Sequence, residues 1–111
     1  MGSHVPDRGD VVWLSFTPQA SHEQSGRRPA LAVSPKAYNQ RTGLALFCPL
    51  TTQVKGYPFE VTLPPGLVVT GVILADQVKS LDWEARCADY AITLPEPVVS
   101  EVIDKIRVLL D

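Results

Sequence analysis

The sequence predicts a mainly-β fold with some α: a small curled barrel of short strands with one amphipathic helix packed against it. Two observations point there. Short apolar runs rich in β-branched and aromatic residues are repeatedly bounded by Gly, Pro, Asn or Thr, as strands joined by turns are. Only the last element carries a clear helical spacing, and many strands with one helix is the arrangement a curled sheet needs to cover its apolar face. The length of 111 residues suits one compact core, so residues 1–111 are expected to form a single domain.

Residues 10–16 alternate and read as a strand, and residues 17–28, polar and interrupted by Pro18 and Gly26, read as a long loop. Loops of about twelve residues in compact domains are often functional. Residues 29–34 and 44–50 are short apolar runs expected to be buried strands, with one helical turn over 35–39 between them. Residues 59–63 form a strand ended by Pro64-Pro65-Gly66, residues 71–75 another, residues 76–81 a short helical turn, and residues 85–92 one or two further strands. Thr93-Leu94-Pro95-Glu96 has the spacing of a capping box. Behind it, Val98, Val99, Val102, Ile103, Ile106, Leu109 and Leu110 fall on one helical stripe. Trp13 and Phe16 are expected in the core. Trp83, between Asp82 and Glu84, is open either to stacking on an unpaired base or, the favoured reading, to packing.

Composition narrows the class. Hydrophobic residues at 45% and charged residues at 20% are ordinary for a soluble globular protein. No apolar run reaches the roughly 18–20 residues of a membrane span. Residues 1–4, Met-Gly-Ser-His, lack the apolar segment of a signal peptide and read as an expression scar. Cys48 and Cys87 form no C-x-x-C pair, and Cys48 in an apolar strand reads as a buried free thiol, which fits a cytoplasmic location. With His22 the only histidine besides His4, no zinc-type ligand cluster can be built, and neither metal nor other cofactor is expected.

The net charge of −2 hides a segregation. Residues 24–59 contain no acid but five bases, Arg27, Arg28, Lys36, Arg41 and Lys55, whereas residues 60–111 hold nine acids against four bases. Such asymmetry suggests one positive face suited to a phosphate-bearing ligand; chance clustering of surface cations is the plain alternative.

Four segments carry more specific information. Residues 23–35 set a Gly-Arg-Arg-Pro turn directly before an apolar strand. Residues 48–60 set Thr-Thr-Gln after another strand, followed by Lys-Gly-Tyr-Pro. With Gly9-Asp10-Val11-Val12-Trp13 and Ala75-Asp76-Gln77-Val78-Lys79-Ser80, they follow one another in the order and near-spacing of the MazF/PemK toxin endoribonucleases, which the chain resembles from about Val5 to its end. The resemblance implies an SH3-like barrel, cleavage of single-stranded RNA at specific sequences without metal, a homodimer with RNA bound across a groove at the subunit junction, and control by a cognate MazE-like antitoxin.

RNA can be cut without metal because its 2′-OH is an internal nucleophile. The enzyme must align that hydroxyl, remove its proton, stabilise the crowded phosphorus centre and protonate the leaving 5′-oxygen. The resemblance makes Arg28, Thr51 and Glu23 the catalytic set. Arg28 closes the loop against Pro29, and its planar fork matches two phosphate oxygens. The family role is general acid, but a guanidinium holds its proton too tightly to be a good donor, which favours charge stabilisation. Thr51 opens the Thr-Thr-Gln turn, where a hydroxyl can donate to phosphate; on its own it reads equally as a turn residue bonding its backbone. Glu23, five residues before Arg28, matches the position assigned as general base, with His22 beside it as a second candidate. Arg27, Thr52, Gln53, Lys55, Gln77 and Lys79 are expected to contact RNA, the lysines at phosphates and Gln77 at base edges. Two other functions remain open on sequence alone: a CcdB-like toxin that binds DNA gyrase without nuclease activity, and a noncatalytic SH3-like interaction module.

Overall fold

The computed structural model describes residues 4–15 and 26–111. Its elements run β1 (Asp10–Ser15), β2 (Arg27–Ala32), α1 (Lys36–Thr42), β3 (Leu44–Thr51), β4 (Glu60–Thr62), β5 (Val72–Leu74), a 3₁₀ turn (Ala75–Gln77), β6 (Lys79–Asp82), β7 (Asp89–Thr93) and α2 (Glu96–Leu110). The strands are ordered β4-β5-β3-β2-β1-β7 with β6 also on β3, and the pairings are antiparallel. β4 and β7 end that order without pairing each other, so these ladders leave the sheet open where a closed barrel was expected.

The central strands are apolar on both faces, which is why they read as continuous runs rather than clean alternations. One face gathers Val11, Leu31, Cys48, Leu50, Ile73 and the Val99–Val102 side of α2. The other gathers Val12, Leu14, Ala30, Ala32, Ala45, Phe47 and Trp83. Four alanines on that second face, Ala88 among them, leave room for the two large rings. Trp83 is accordingly packed, 6% exposed, with its indole N–H donating to the Asn39 carbonyl at 2.9 Å. Trp13 departs from expectation: it points out of β1 and is 36% exposed, while its neighbours Val12 and Leu14 are buried.

Several local expectations shift. Arg27 and Arg28 lie in β2, not in the preceding loop. Of residues 76–81, read as a short helical turn, the start falls in the 3₁₀ turn Ala75–Gln77 but 79–81 belong to β6, because four backbone pairings with β3 (Leu44↔Asp82 to Phe47↔Lys79) outweigh a weak local pattern. Of residues 85–92 only the end is strand. The capping box is not made. Thr93 belongs to β7, and its hydroxyl donates to the buried Asp10 carboxylate at 2.8 Å. Pro95 caps α2 without a side-chain bond. The helical stripe packs as far as Ile106, whereas Leu109 and Leu110 are exposed. Among the described residues no helix is long and apolar enough to cross a membrane.

β5 and β6 follow one another along the same strand, β3, with a gap between them. From Ile73 (opposite Leu50) to Lys79 (opposite Phe47) the chain spends five intervening residues where β3 spends two. The surplus forms the Ala75–Gln77 turn, which packs against α2.

Candidate active site

Adjacent residues on a strand point to opposite faces, and β2 opens with two arginines. Arg27 sits opposite Ser15. Its guanidinium donates to the Trp13 carbonyl at 3.0 Å, the Cys87 carbonyl at 2.9 Å, Ser15 Oγ at 3.3 Å and the Asp89 carboxylate at 2.9 Å. It thus ties β1, β2 and the turn before β7 together, and it lines none of the clefts described below. Arg28 is on the other side of the strand and is exposed.

The β2–β3 ladder explains what Arg28 meets. Ala30 pairs with Pro49. Continuing that antiparallel register by two residues, which preserves the face, brings Arg28 toward Thr51. Both line one open cleft of about 450 Å³, with Trp13, Pro29, Thr52, Gln53 and the 68–70 loop. Thr51 Oγ accepts the Gln53 backbone N–H at 3.1 Å, which is the turn bond anticipated for a threonine here. Because that bond uses a lone pair, the hydroxyl proton remains available to a ligand. The turn reading and the phosphate-donor reading are therefore compatible.

Two smaller clefts adjoin the first. One, about 250 Å³, runs from Arg28 and Pro29 over Phe47 and Pro49 to Gln77 and Lys79. The other, about 110 Å³, is bordered by Thr51, Gln53, Lys55, Tyr57, Glu60 and Gln77. Arg28 is shared by the first two, Thr51 and Gln53 by the first and third, and Gln77 by the second and third. The result is one branched groove. The five-for-two mismatch between β5–β6 and β3 is what sets Gln77 at its fork.

Of the expected site residues, the fold brings together Arg28, Thr51, Thr52, Gln53, Lys55, Gln77 and Lys79. It turns Arg27 away. Lys36 and Arg41, on α1, line none of the three clefts, so the acid-free segment is not one continuous face. Glu23 and His22 lie outside the described residues. Trp13, Tyr57 and the 68–70 loop were not anticipated. Tyr57 follows a recognisable Lys-Gly turn, but Val68-Val69-Thr70 has no sequence signal that would mark it.

The groove's loop is braced by acids. The Glu60 carboxylate accepts the backbone N–H groups of Lys55 and Gly56, each at 2.9 Å. Tyr57 donates its hydroxyl to Asp76 at 3.0 Å. That bond, followed by burial and the nearby carboxylate charge, raises the phenol's pKa, so Tyr57 keeps its proton as a donor to Asp76. Burial, with the Asp76 charge second, pushes the Cys48 thiol up to about 12, which leaves it protonated and unreactive at neutral pH. No cluster of three or more His, Cys, Asp or Glu side chains suited to a metal ion occurs among the described residues.

An antiparallel sheet that presents an arginine, a threonine hydroxyl and two lysines along one groove carries donors and positive charge of the kind that suit phosphate oxygens. The chain belongs to the PemK-like, MazF-like toxins of type II toxin–antitoxin systems, whose family model matches residues 7–110. It is 49% identical over 107 residues to the endoribonuclease toxin MazF of Escherichia coli K12, with 96% of each chain covered. It is 34% identical over 108 residues to the endoribonuclease PemK of Escherichia coli, covering 94% of this chain and 81% of PemK. The crystal structure of MazE-MazF (Form-II) from Deinococcus radiodurans contains a chain with a TM-score of 0.88 and 52% identity, 96% of each chain being covered. Relatives named as endoribonucleases leave the gyrase-binding alternative without support.

Proposed function

We propose that this endoribonuclease toxin cuts single-stranded RNA by attack of the 2′-oxygen on its own phosphorus, without a metal ion. The bond from phosphorus to the 5′-oxygen breaks as the new one forms. The 2′-OH proton passes to a base, and the leaving 5′-oxygen gains a proton, giving a cyclic phosphate and a 5′-hydroxyl. Arg28 neutralises the non-bridging oxygens as charge builds at phosphorus, and Thr51 donates its free hydroxyl proton to one of them. Glu23 takes the base role, with His22 as the alternative. Lys55 and Lys79 hold flanking phosphates, while Thr52, Gln53 and Gln77 contact the nucleotides on either side. Arg27, expected at first to touch RNA, serves here as a structural clamp.

One observation carries this reading: the β2–β3 register that turns Arg28 and Thr51 into the same cleft. The decisive experiment incubates the protein with mixed single-stranded RNA in EDTA, then with a substrate carrying one deoxynucleotide 5′ to the cut. Cleavage of the first and not the second is expected. Cutting of the deoxy-substituted strand would mean hydrolysis by an activated water and would overturn the scheme.

The same reading includes a two-fold dimer and a MazE-like antitoxin. Exposed Trp13, Leu44 and Leu46, at 36%, 36% and 39%, supply apolar surface for association. The relative from Deinococcus radiodurans was crystallised as MazE-MazF. An acidic antitoxin segment lying over Arg28 and Lys55 would compete with RNA and be weakened by salt. Ultracentrifugation and titration of antitoxin against an uncleavable RNA test both points; a monomer at micromolar concentration, or simultaneous binding, would refute them.

A further inference from the structure

Gly71 lies directly before β5, where Val72 pairs with Thr51. Its φ is +105°, and a side chain there would collide with backbone. A Cβ would fall against the Thr51 carbonyl oxygen, 2.8 Å from the carbonyl carbon and 3.0 Å from Thr52 Cα. Neither backbone partner is a flexible side chain that can swing aside. Nor can Gly71 easily retreat, because its own carbonyl accepts the Leu63 N–H at 3.1 Å on the other side. Displacement would therefore fall on the Thr51–Thr52 peptide. That peptide carries the Thr51 hydroxyl and leads to the Gln53 N–H that orients it.

From this we infer that Gly71 is a positioning residue for Thr51: its missing side chain lets the 70–72 backbone seat against the 51–52 peptide and hold the hydroxyl in the cleft. The inference rests on the catalytic reading of Thr51 given above. Gly66, in the same 64–71 connection, provides an internal control. It also has a positive φ, +86°, yet a Cβ there meets nothing within 4 Å. Gly66→Ala introduces the backbone strain without the collision.

The test is a double-mutant cycle on RNA cleavage. Gly71→Ala should lower kcat by about 100-fold, the effect of misplacing a reacting group by roughly an ångström. KM should change little, since Lys55 and Lys79 still hold the strand, and Gly66→Ala should keep near-parent kcat. In a Thr51→Ala background, adding Gly71→Ala should change the residual rate by no more than about twofold, because residues acting through one group are not additive. Full activity of Gly71→Ala, an equal loss in both backgrounds, or an equal loss in Gly66→Ala would overturn the inference. Unimpaired cleavage by Thr51→Ala would instead sink the catalytic reading of Thr51. A measurement that needs no substitution at Gly71 is the backbone geometry of residues 51–53 in Thr51→Ala, read from amide shifts or a crystal structure. Retention of the parent turn is expected if Gly71 holds it, and relaxation of the turn would assign the job to the Thr51 hydroxyl itself.

Discussion

On one side of β2, Arg27 spends its guanidinium on two backbone carbonyls, a serine and a carboxylate. On the other side, one residue along, Arg28 is exposed and borders two clefts at once. The two share a residue type and nearly the same position in the chain. What separates them is the alternation of a strand, which sends one into hydrogen bonds with β1 and β7 and the other to the clefts. A run of basic residues is therefore not a binding surface until its secondary structure has divided it.

The sharpest way to break this contrast is Arg28→Ala. Loss of one preorganised donor typically costs on the order of 100- to 1,000-fold in rate, with the unfolding midpoint retained because the side chain lies outside the core. Parallel cleavage assays and thermal melts read both quantities. Full activity in this variant would dissolve the distinction. Arg27→Ala should show the opposite pattern. Deleting its hydrogen bonds should cost about 1–3 kcal/mol of folding stability by denaturant titration, with cleavage per folded molecule reduced far less than in Arg28→Ala. Equal catalytic losses in the two variants would remove the structural role assigned to Arg27.

A third experiment compares the groove with the core beneath it. The Cys48 thiol is raised from an ordinary 9.0 to about 12 in the folded state. The unfolded chain therefore releases this proton at lower pH than the folded one does. Stability from the protonated thiol is complete below pH 9 and is lost as pH climbs toward 12. Between pH 8 and 10 the parent should lose about 1 kcal/mol more stability than Cys48→Ala, since one pKa unit corresponds to about 1.4 kcal/mol. Identical slopes would show that the thiol does not titrate as its burial requires. The smallest effect is expected from Lys55→Ala. Binding to an uncleavable single strand should weaken modestly, and the slope of log K against log salt should fall by about 0.7, the value for one phosphate contact. An unchanged slope would take Lys55 off the RNA path.

Much of this was legible in the sequence, and the failures have physical causes. β1, β3 and α2 announce themselves through apolar spacing, and the meeting of Arg28 with Thr51 follows from two strands that happen to pair in the right register. β6 was hidden because Lys79-Ser80-Leu81-Asp82 offers only one apolar residue; its partner strand defines it. The fate of Arg27 could not be read because two of its acceptors are main-chain carbonyls, and any residue at positions 13 and 87 supplies those. Thr93 has the sequence of a helix cap but is claimed by a buried aspartate 83 residues away. The open sheet, too, is a matter of long-range pairing, which strand count alone does not fix.

The excursion between β5 and β6 has a consequence for how such a molecule can change over generations. Strand pairing is in register on both sides of it, so an exchange at exposed Gln77 leaves Leu50 opposite Ile73 and Phe47 opposite Lys79, while buried Ala75 keeps the turn seated on the core. The cleft that Arg28 and Thr51 share on β2 and β3 is thereby insulated from such an exchange in the segment that presents Gln77 to the fork of the groove. On the proposed reading, preference for one nucleotide over another can wander while Arg28 and Thr51 stay put.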